Sequence, residues 1–301
     1  MLDYPAEELC RPAGLLDRQA LRAAAQSGEI LQSTALAFDT RRQLHFSLGG
    51  LPAVMPYEEC ALGAEKGEVR DIAILTRVGR PTCFVVQQVS AGEGGPVLLS
   101  RRAAQQRCRD EYLDRLAPGT IIPCVVTHIE PFGAFCDVGC GVSALLPIDC
   151  LSVSRIQSPA DRVAVGQQLL CAVKSRDAQG RLVLTLRELL GTWSENAARF
   201  SPGDTVVGIV RSVEEYGVFI EIAPNLAGLA EAGEGLRPGQ AVSVYIKNIL
   251  PEKMKIKLVI VNRSLAAPLR FEPQYFVTEG RLRRWVYSTP GSRKQIETVF
   301  A

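Results

Sequence analysis

Two short stretches of this chain alternate in the same way. In GAFCDVG (133–139), Ala134, Cys136 and Val138 fall on one side, and Phe135 and Asp137 on the other. In GVFIEIA (217–223), Val218, Ile220 and Ile222 oppose Phe219 and Glu221. A period of two is the signature of a strand with one buried face. An ionised acid does not belong inside a small apolar core. The face of Asp137 and Glu221 is therefore read as outward and solvated, which places Phe135 and Phe219 outside as well. Phe132 and Tyr216, one residue before each glycine, flank the start of the strand. Two later stretches alternate likewise. RLVLTL (181–186) turns its leucines inward and leaves Arg181 outward, and KIKLVI (255–260) leaves Lys255 and Lys257 outward.

These stretches belong to a repeat. PGTIIPCVVTHIEPFGAFCDVG (118–139) lies over PGDTVVGIVRSVEEYGVFIEIA (202–223) at an offset of 84, which holds through Leu145 and Leu229. The offset then falls to about 73 at VGQQLLCAVK against PGQAVSVYIK, so the later copy has lost about 11 residues from its middle. A fainter copy precedes both: GLPAVMP (50–56) matches GVSALLP (141–147), and PVLLS (96–100) resembles LVLTL (182–186). In the clearest copy, strands are expected at 120–130, 133–138, 142–146, 168–176 and 181–186. Five short strands with a longer connection after the third suggest a small closed barrel of the OB-fold type.

The expected architecture is mainly β, with three tandem five-stranded OB-fold barrels joined by short helices. Its segments are an N-terminal helical segment (1–27), a divergent first repeat (28–100), a helical linker (101–117) and a second repeat (118–190). A short linker (191–200), a shortened third repeat (201–261) and a basic, aromatic C-terminal tail (262–301) follow. GLLDRQALRAAAQSG (14–28) reads as a helix capped by Gly28, and LSRRAAQQRCRDEYLDRL (99–116), free of glycine and proline, as another. The tail phrase YFVTEGRLRRWVYS (275–288) reads as a hairpin turning at Glu279-Gly280, placed to repair the shortened third barrel. Its cluster of Arg281, Arg283, Arg284, Trp285 and Tyr287 fits either Trp285 packed on the third barrel or a contact for an anionic ligand.

Composition narrows the function. The 301 residues are 47% hydrophobic and 22% charged, with a net charge of +2. No apolar run reaches the roughly 20 residues that span a bilayer, and the acidic N-terminus lacks a signal-peptide pattern, so a cytoplasmic protein is expected. Positive charge collects in the linker 101–117, with 5 basic and 3 acidic residues, and in 201–301, with 13 and 10. That distribution hints at an anionic partner. The nine cysteines include no CxxC pair, and Cys136 and Cys140, four apart, lack a second ligand pair. Reduced, buried thiols and no metal are expected. Only two histidines exist, His45 and His128, with His128 inside a strand pattern. No GxSxG, HExxH or phosphate-loop motif occurs, and Gly94-Gly95 sits in a polar loop. A binding protein without cofactor is expected, not an enzyme.

If barrel closure brings the outward faces together, rings stand beside cations. Rings stack on bases and cations follow phosphates, which is the make-up of a single-strand nucleic-acid surface.

On these residues the chain resembles the bacterial ribosomal protein S-one family, whose RNA-binding repeat is an OB-fold. The second unit carries the pattern FGAF, GVSALLP, VGQ and DAQGRLVLTL. The resemblance implies an RNA face at Phe132, Phe135, Asp177 and Arg181, with Pro147 where many members have a histidine. In the third unit it implies Tyr216, Phe219 and Lys255, with Lys257 beside them and no acid near Leu250-Pro251. In the first unit His45 falls at the second aromatic's place and Arg42 near the first. The implied partner is single-stranded RNA, notably mRNA, with the first repeat docking on the small ribosomal subunit or another protein. The alternative is a protein-interaction adaptor in transcription or RNA-decay assemblies.

Overall fold

The structure is a computed structural model, and it describes residues 4–9, 16–90, 95–233, 235–263, 265 and 271–301. Cys10, Gly94 and the first two residues of the expected 14–28 helix lie outside them. The chain divides into two compact units. One holds Met1–Leu116 with Asp137–Ser143, and the other holds Ala117–Cys136 with Ala144–Ala301.

In the first unit, α1 (Arg18–Ser27) starts at Asp17, whose carboxylate accepts the Ala20 N–H, and stops at Gly28 in the left-handed conformation. The strands are β1 (Ile30–Thr34), β2 (Ala37–Phe38), β3 (Gln43–Leu48) and β4 (Leu51–Pro56); after the short helix α2 (Asp71–Leu75) come β5 (Pro81–Val89) and β6 (Val97–Ser100). The linker helix α3 (Arg101–Glu111) is capped by the Ser100 hydroxyl. This sheet departs from the closed barrel expected of the first repeat. Its order is β1-β5-β6-β4-β3-β2, an open six-stranded sheet. The cause is local. The long first strand of the other repeats is here broken at Ala35-Leu36 into β1, paired with β5, and β2, paired with β3. Ala35 instead bridges to Val78. The sheet still wraps one core, in which Leu44, Phe46, Met55, Phe84 and Leu99 pack with Leu21 of α1.

In the second unit, β7 (Ile121–Glu130), β8 (Gly133–Asp137), β9 (Ser143–Pro147), β10 (Gln168–Arg176) and β11 (Leu182–Thr185) close a barrel in the order β10-β11-β9-β8-β7. The short helix α4 (Ile148–Leu151) follows β9, and α5 (Trp193–Ala197) fills the linker, its start fixed by a reciprocal Thr192–Glu195 capping box. Strands β12 (Thr205–Glu214), β13 (Gly217–Ala223), β14 (Leu226–Ala230), β15 (Ala241–Leu250) and β16 (Lys255–Asn262) close a second barrel in the same order. The third repeat therefore closes on its own five strands, and the tail is not needed to complete it. The missing residues are absorbed between β14 and β15, where the second repeat carries α4 and the 152–167 connection.

The hairpin lies later than expected. It is formed by β17 (Arg284–Val286) and β18 (Glu297–Val299), whereas residues 275–282 run extended along the second barrel. Ile121 donates to the Gly280 carbonyl and Leu282 to that of Gly119, so this edge of β7 supplies the pairing that a 275–288 hairpin would have made internally. Val277, Leu282 and Phe300 pack beside Ala172 and Leu189, while Trp285 and Tyr287 join the third barrel's core. The tail is a strap across both barrels, and Trp285, 7% exposed, is withdrawn from any ligand.

No helix among the described residues is long and apolar enough to cross a membrane. The eight described cysteines are buried, and among the described residues no group of three or more His, Cys, Asp and Glu is placed to hold a metal ion.

Candidate nucleic-acid interface

The aromatic-Gly-x-aromatic phrase builds the same object twice. In the second barrel Phe132 and Phe135 meet edge to face, with centroids 6.0 Å apart and planes at 90°. In the third, Tyr216 and Phe219 meet at 6.2 Å and 87°. The leading ring of each pair is open to solvent, Phe132 at 55% and Tyr216 at 70%, while Phe135 and Phe219 are half-buried. The glycine between them is required by close approach. A Cβ at Gly133 would lie 2.6 Å from the Leu146 carbonyl oxygen, and one at Gly217 2.5 Å from that of Ala230. The neighbouring strand thus sits too close for any side chain, and this contact fixes the two rings against each other.

The acids that share a face with these rings are not solvated, which corrects the sequence expectation. Asp137 is 4% exposed and Glu221 fully buried. Both do lie outside the barrel cores, but the surrounding chain covers them. Within the first unit, Asp137 accepts the N–H groups of Glu7, Gly139 and Gly141 at 2.7, 2.9 and 3.0 Å. Glu7 in turn binds Arg101 at 2.7 Å and Arg77 at 2.9 Å. Burial, followed by the nearby Glu7 carboxylate, pushes the Asp137 carboxyl up to about 6. Within the second unit, Glu221 takes Arg162 at 2.6 Å and Arg211 at 2.8 and 2.6 Å. Sequence alternation gives the correct side of the strand but cannot show that guanidinium groups from elsewhere cover it.

The second barrel's predicted cation sits in the turn before β11. Arg181 donates to Asp177 at 2.7 Å, and Asp177 also accepts the N–H groups of Gln179 and Arg181 at 2.9 Å each. Partial burial works against its charge, but these donors hold the Asp177 carboxyl below the ordinary range. The third barrel's counterpart follows from strand register. Val183 pairs with Leu145, and Lys257 pairs with Leu229, the leucine 84 residues on. Lys257 thus stands where Val183 does, and Lys255 where Arg181 does. Both lysines are exposed, and among the described residues neither makes an ion pair. Each cation lies two strand spacings of about 4.8 Å from its ring strand. Pro147 ends β9 and offers no side-chain donor.

Sequence reasoning missed His128. Its ring stacks on Phe135 at 6.4 Å and 24°, and its Nε2 lies 2.8 Å from Glu130. The second barrel therefore presents three rings in a row. The signal was the matching polar position Ser212, which pairs with Phe219 in the third barrel. In the first unit, His45 pairs with Val54, which is the register of the missing second aromatic. Its ring is engaged by Asp39 at 2.8 Å, and Arg42 lies 3.7 Å over the Tyr57 ring and 2.7 Å from Asp71. Cations and rings there satisfy one another.

Residues 115–187 match the family described as S1 RNA binding domain. This chain carries an S1 RNA-binding domain. The S1 domain coincides with the second barrel and contains both of its paired rings, Asp177 and Arg181. The chain is also similar to the small ribosomal subunit protein bS1 of Staphylococcus aureus (strain COL), 34% identical over 186 residues, covering 56% of this chain and 47% of that protein. The bS1 protein of Staphylococcus haemolyticus is 36% identical over the same span. The chain spans about half the length of these curated relatives. Among solved structures, a multidomain protein with nucleic acid binding domains from Streptococcus pneumoniae is 14% identical, covers 79% of this chain and 75% of its own, and has a TM-score of 0.26.

Proposed function

We propose that this chain binds single-stranded RNA, mRNA above all, on the ring faces of the second and third barrels, through Phe132, Phe135, Asp177 and Arg181 and through Tyr216, Phe219, Lys255 and Lys257. The observation that carries this reading is the duplicated ring pair, with an open leading ring and a cation two strands away. Exposed rings in a fixed geometry offer bases a stacking platform worth about 1–3 kcal/mol per base. No bond is made or broken. Two modest sites on one chain gain affinity through effective concentration.

The first unit lacks the aromatic-Gly-x-aromatic pair, and its Arg42 and His45 are already engaged. In this reading it docks on the small ribosomal subunit or on another protein while the second unit holds RNA. Co-sedimentation with small subunits at moderate salt tests the placement. Retention of the chain in the subunit fraction supports it. A pull-down in which protein partners survive nuclease treatment, without affinity for RNA, would instead favour an adaptor.

A further inference from the structure

The two ring faces differ in how their cations are employed. In the S1 domain Arg181 is tied to Asp177, and Lys174 lies 3.1 Å from the Cys150 sulfur and 4.0 Å from Asp149. The third barrel leaves its lysines open. Register places them in one cross-strand row: Phe219 pairs with Leu229, Leu229 with Lys257, and Lys257 with Asn248. The ladder shifts between Ile246 and Asn248, so Lys247 occupies a bulge at the end of that row. A bulge re-aims its extra residue away from the regular ladder, and Lys247 is exposed. It corresponds to Lys174, which occupies the same shift in β10. Along β16, Lys255, Lys257 and Val259 alternate with buried Ile256 and Leu258, so they share the outer face at about 7 Å intervals. Tyr245, 40% exposed, pairs with Val259 one step further. Lys247, Lys255 and Lys257 make no ion pair among the described residues; the nearest acids in sequence are Glu252, in the β15–β16 turn, and Glu234.

Resting on the RNA-binding reading above, we propose that Lys247, Lys255 and Lys257, with Tyr245 beyond them, form a phosphate-binding track that carries the RNA backbone from the Tyr216–Phe219 pair across β16 onto β15. The occupant is a single-stranded polyanion, for two reasons on this face. The row is continuous with the ring pair, and its charge is not neutralised among the described residues. The third barrel then contributes charge-driven affinity indifferent to base identity. The S1 domain, whose guanidinium is already oriented by Asp177, contributes most of the base contact.

The test is anisotropy of a labelled oligouridylate titrated with the full chain from about 50 to 200 mM salt. Each phosphate contact on a single strand adds about 0.7 to the slope of log K against log salt. Lys247→Gln combined with Lys257→Gln is expected to lower that slope by about 1.4 with an unchanged melting temperature, since both side chains are exposed. Tyr216→Ala is expected to weaken binding with the slope preserved. If the wild-type chain binds RNA and the double lysine variant keeps the full slope, the track is refuted and the RNA reading stands. If the wild-type chain does not bind RNA at all, both fall. If it binds only an acidic protein, through the same lysines, the RNA track is likewise overturned.

Discussion

Replacing Glu221 by glutamine is predicted to loosen the junction of the second and third barrels more than any surface change. Glu221 is fully buried and faces two guanidinium groups, receiving Arg162 at 2.6 Å and Arg211 at 2.8 and 2.6 Å. Arg162 is itself fully buried, holds Ser152 at 2.7 Å, and has no partner for Nε or Nη1 among the described residues. Arg211 has one further acid, Asp161, at 3.8 Å. Removing the shared carboxylate charge strands one guanidinium with no counter-ion and leaves the other with a distant one. Breaking a buried pair in this way costs about 3–5 kcal/mol. Removing all three charges at once is cheaper, because desolvation is removed together with attraction. Arg162→Met, Glu221→Leu and Arg211→Met in combination should lie closer to wild type than Glu221→Gln alone. Urea unfolding followed by tryptophan fluorescence reads this directly, because Trp193 and Trp285, the chain's two tryptophans, both sit in the third barrel's core. The reasoning is refuted if Glu221→Gln shifts stability by less than about 1 kcal/mol, or if the triple variant is the less stable of the two.

Phe132→Ala should weaken RNA binding about 5- to 150-fold by anisotropy, the loss of roughly 1–3 kcal/mol for one stacked base, without changing the melting temperature. Gly133→Ala should destabilise the second barrel by about 1–3 kcal/mol in urea, because its Cβ meets a backbone oxygen that cannot move aside. Asp137 has a pKa raised from 3.8 to about 6, so its contribution to stability is complete below the ordinary value and lost as pH rises through 6. Melting temperature should fall between about pH 4 and 6 on this account, and Asp137→Asn should flatten that slope.

Much of this molecule was legible before any coordinate. The alternation in GAFCDVG and GVFIEIA gave the strands, the outward rings and the repeat, because a period of two is a local property. Helix α1 was legible from its terminal glycine, and the linker helix from its lack of breakers. Three features were not. The opening of the first sheet depends on Ala35 leaving the ladder for Val78, a contact between segments with no sequence signal. The hairpin was misplaced because Gly280 does supply a bend, but Gly280 and Leu282 bond to Ile121 and Gly119, and Phe276 donates to the Leu189 carbonyl, in preference to one another. The burial of Asp137 and Glu221 was hidden because alternation reports the side of a strand, and coverage is supplied from distant positions, by Glu7 over Asp137 and by Arg162 and Arg211 over Glu221. In the candidate site, the rings were found through the glycine between them, whereas His128 and the bulged Lys247 depend on pairing and register that only the folded strands reveal.

The account rests most directly on a single titration: labelled single-stranded RNA against the full chain at low salt, wild type beside Phe132→Ala combined with Tyr216→Ala. It predicts saturable binding by the wild type and a loss for the double variant greater than for either ring alone, with both proteins equally folded. Equal affinity of the folded double variant and the wild type, or a flat wild-type titration, would contradict it.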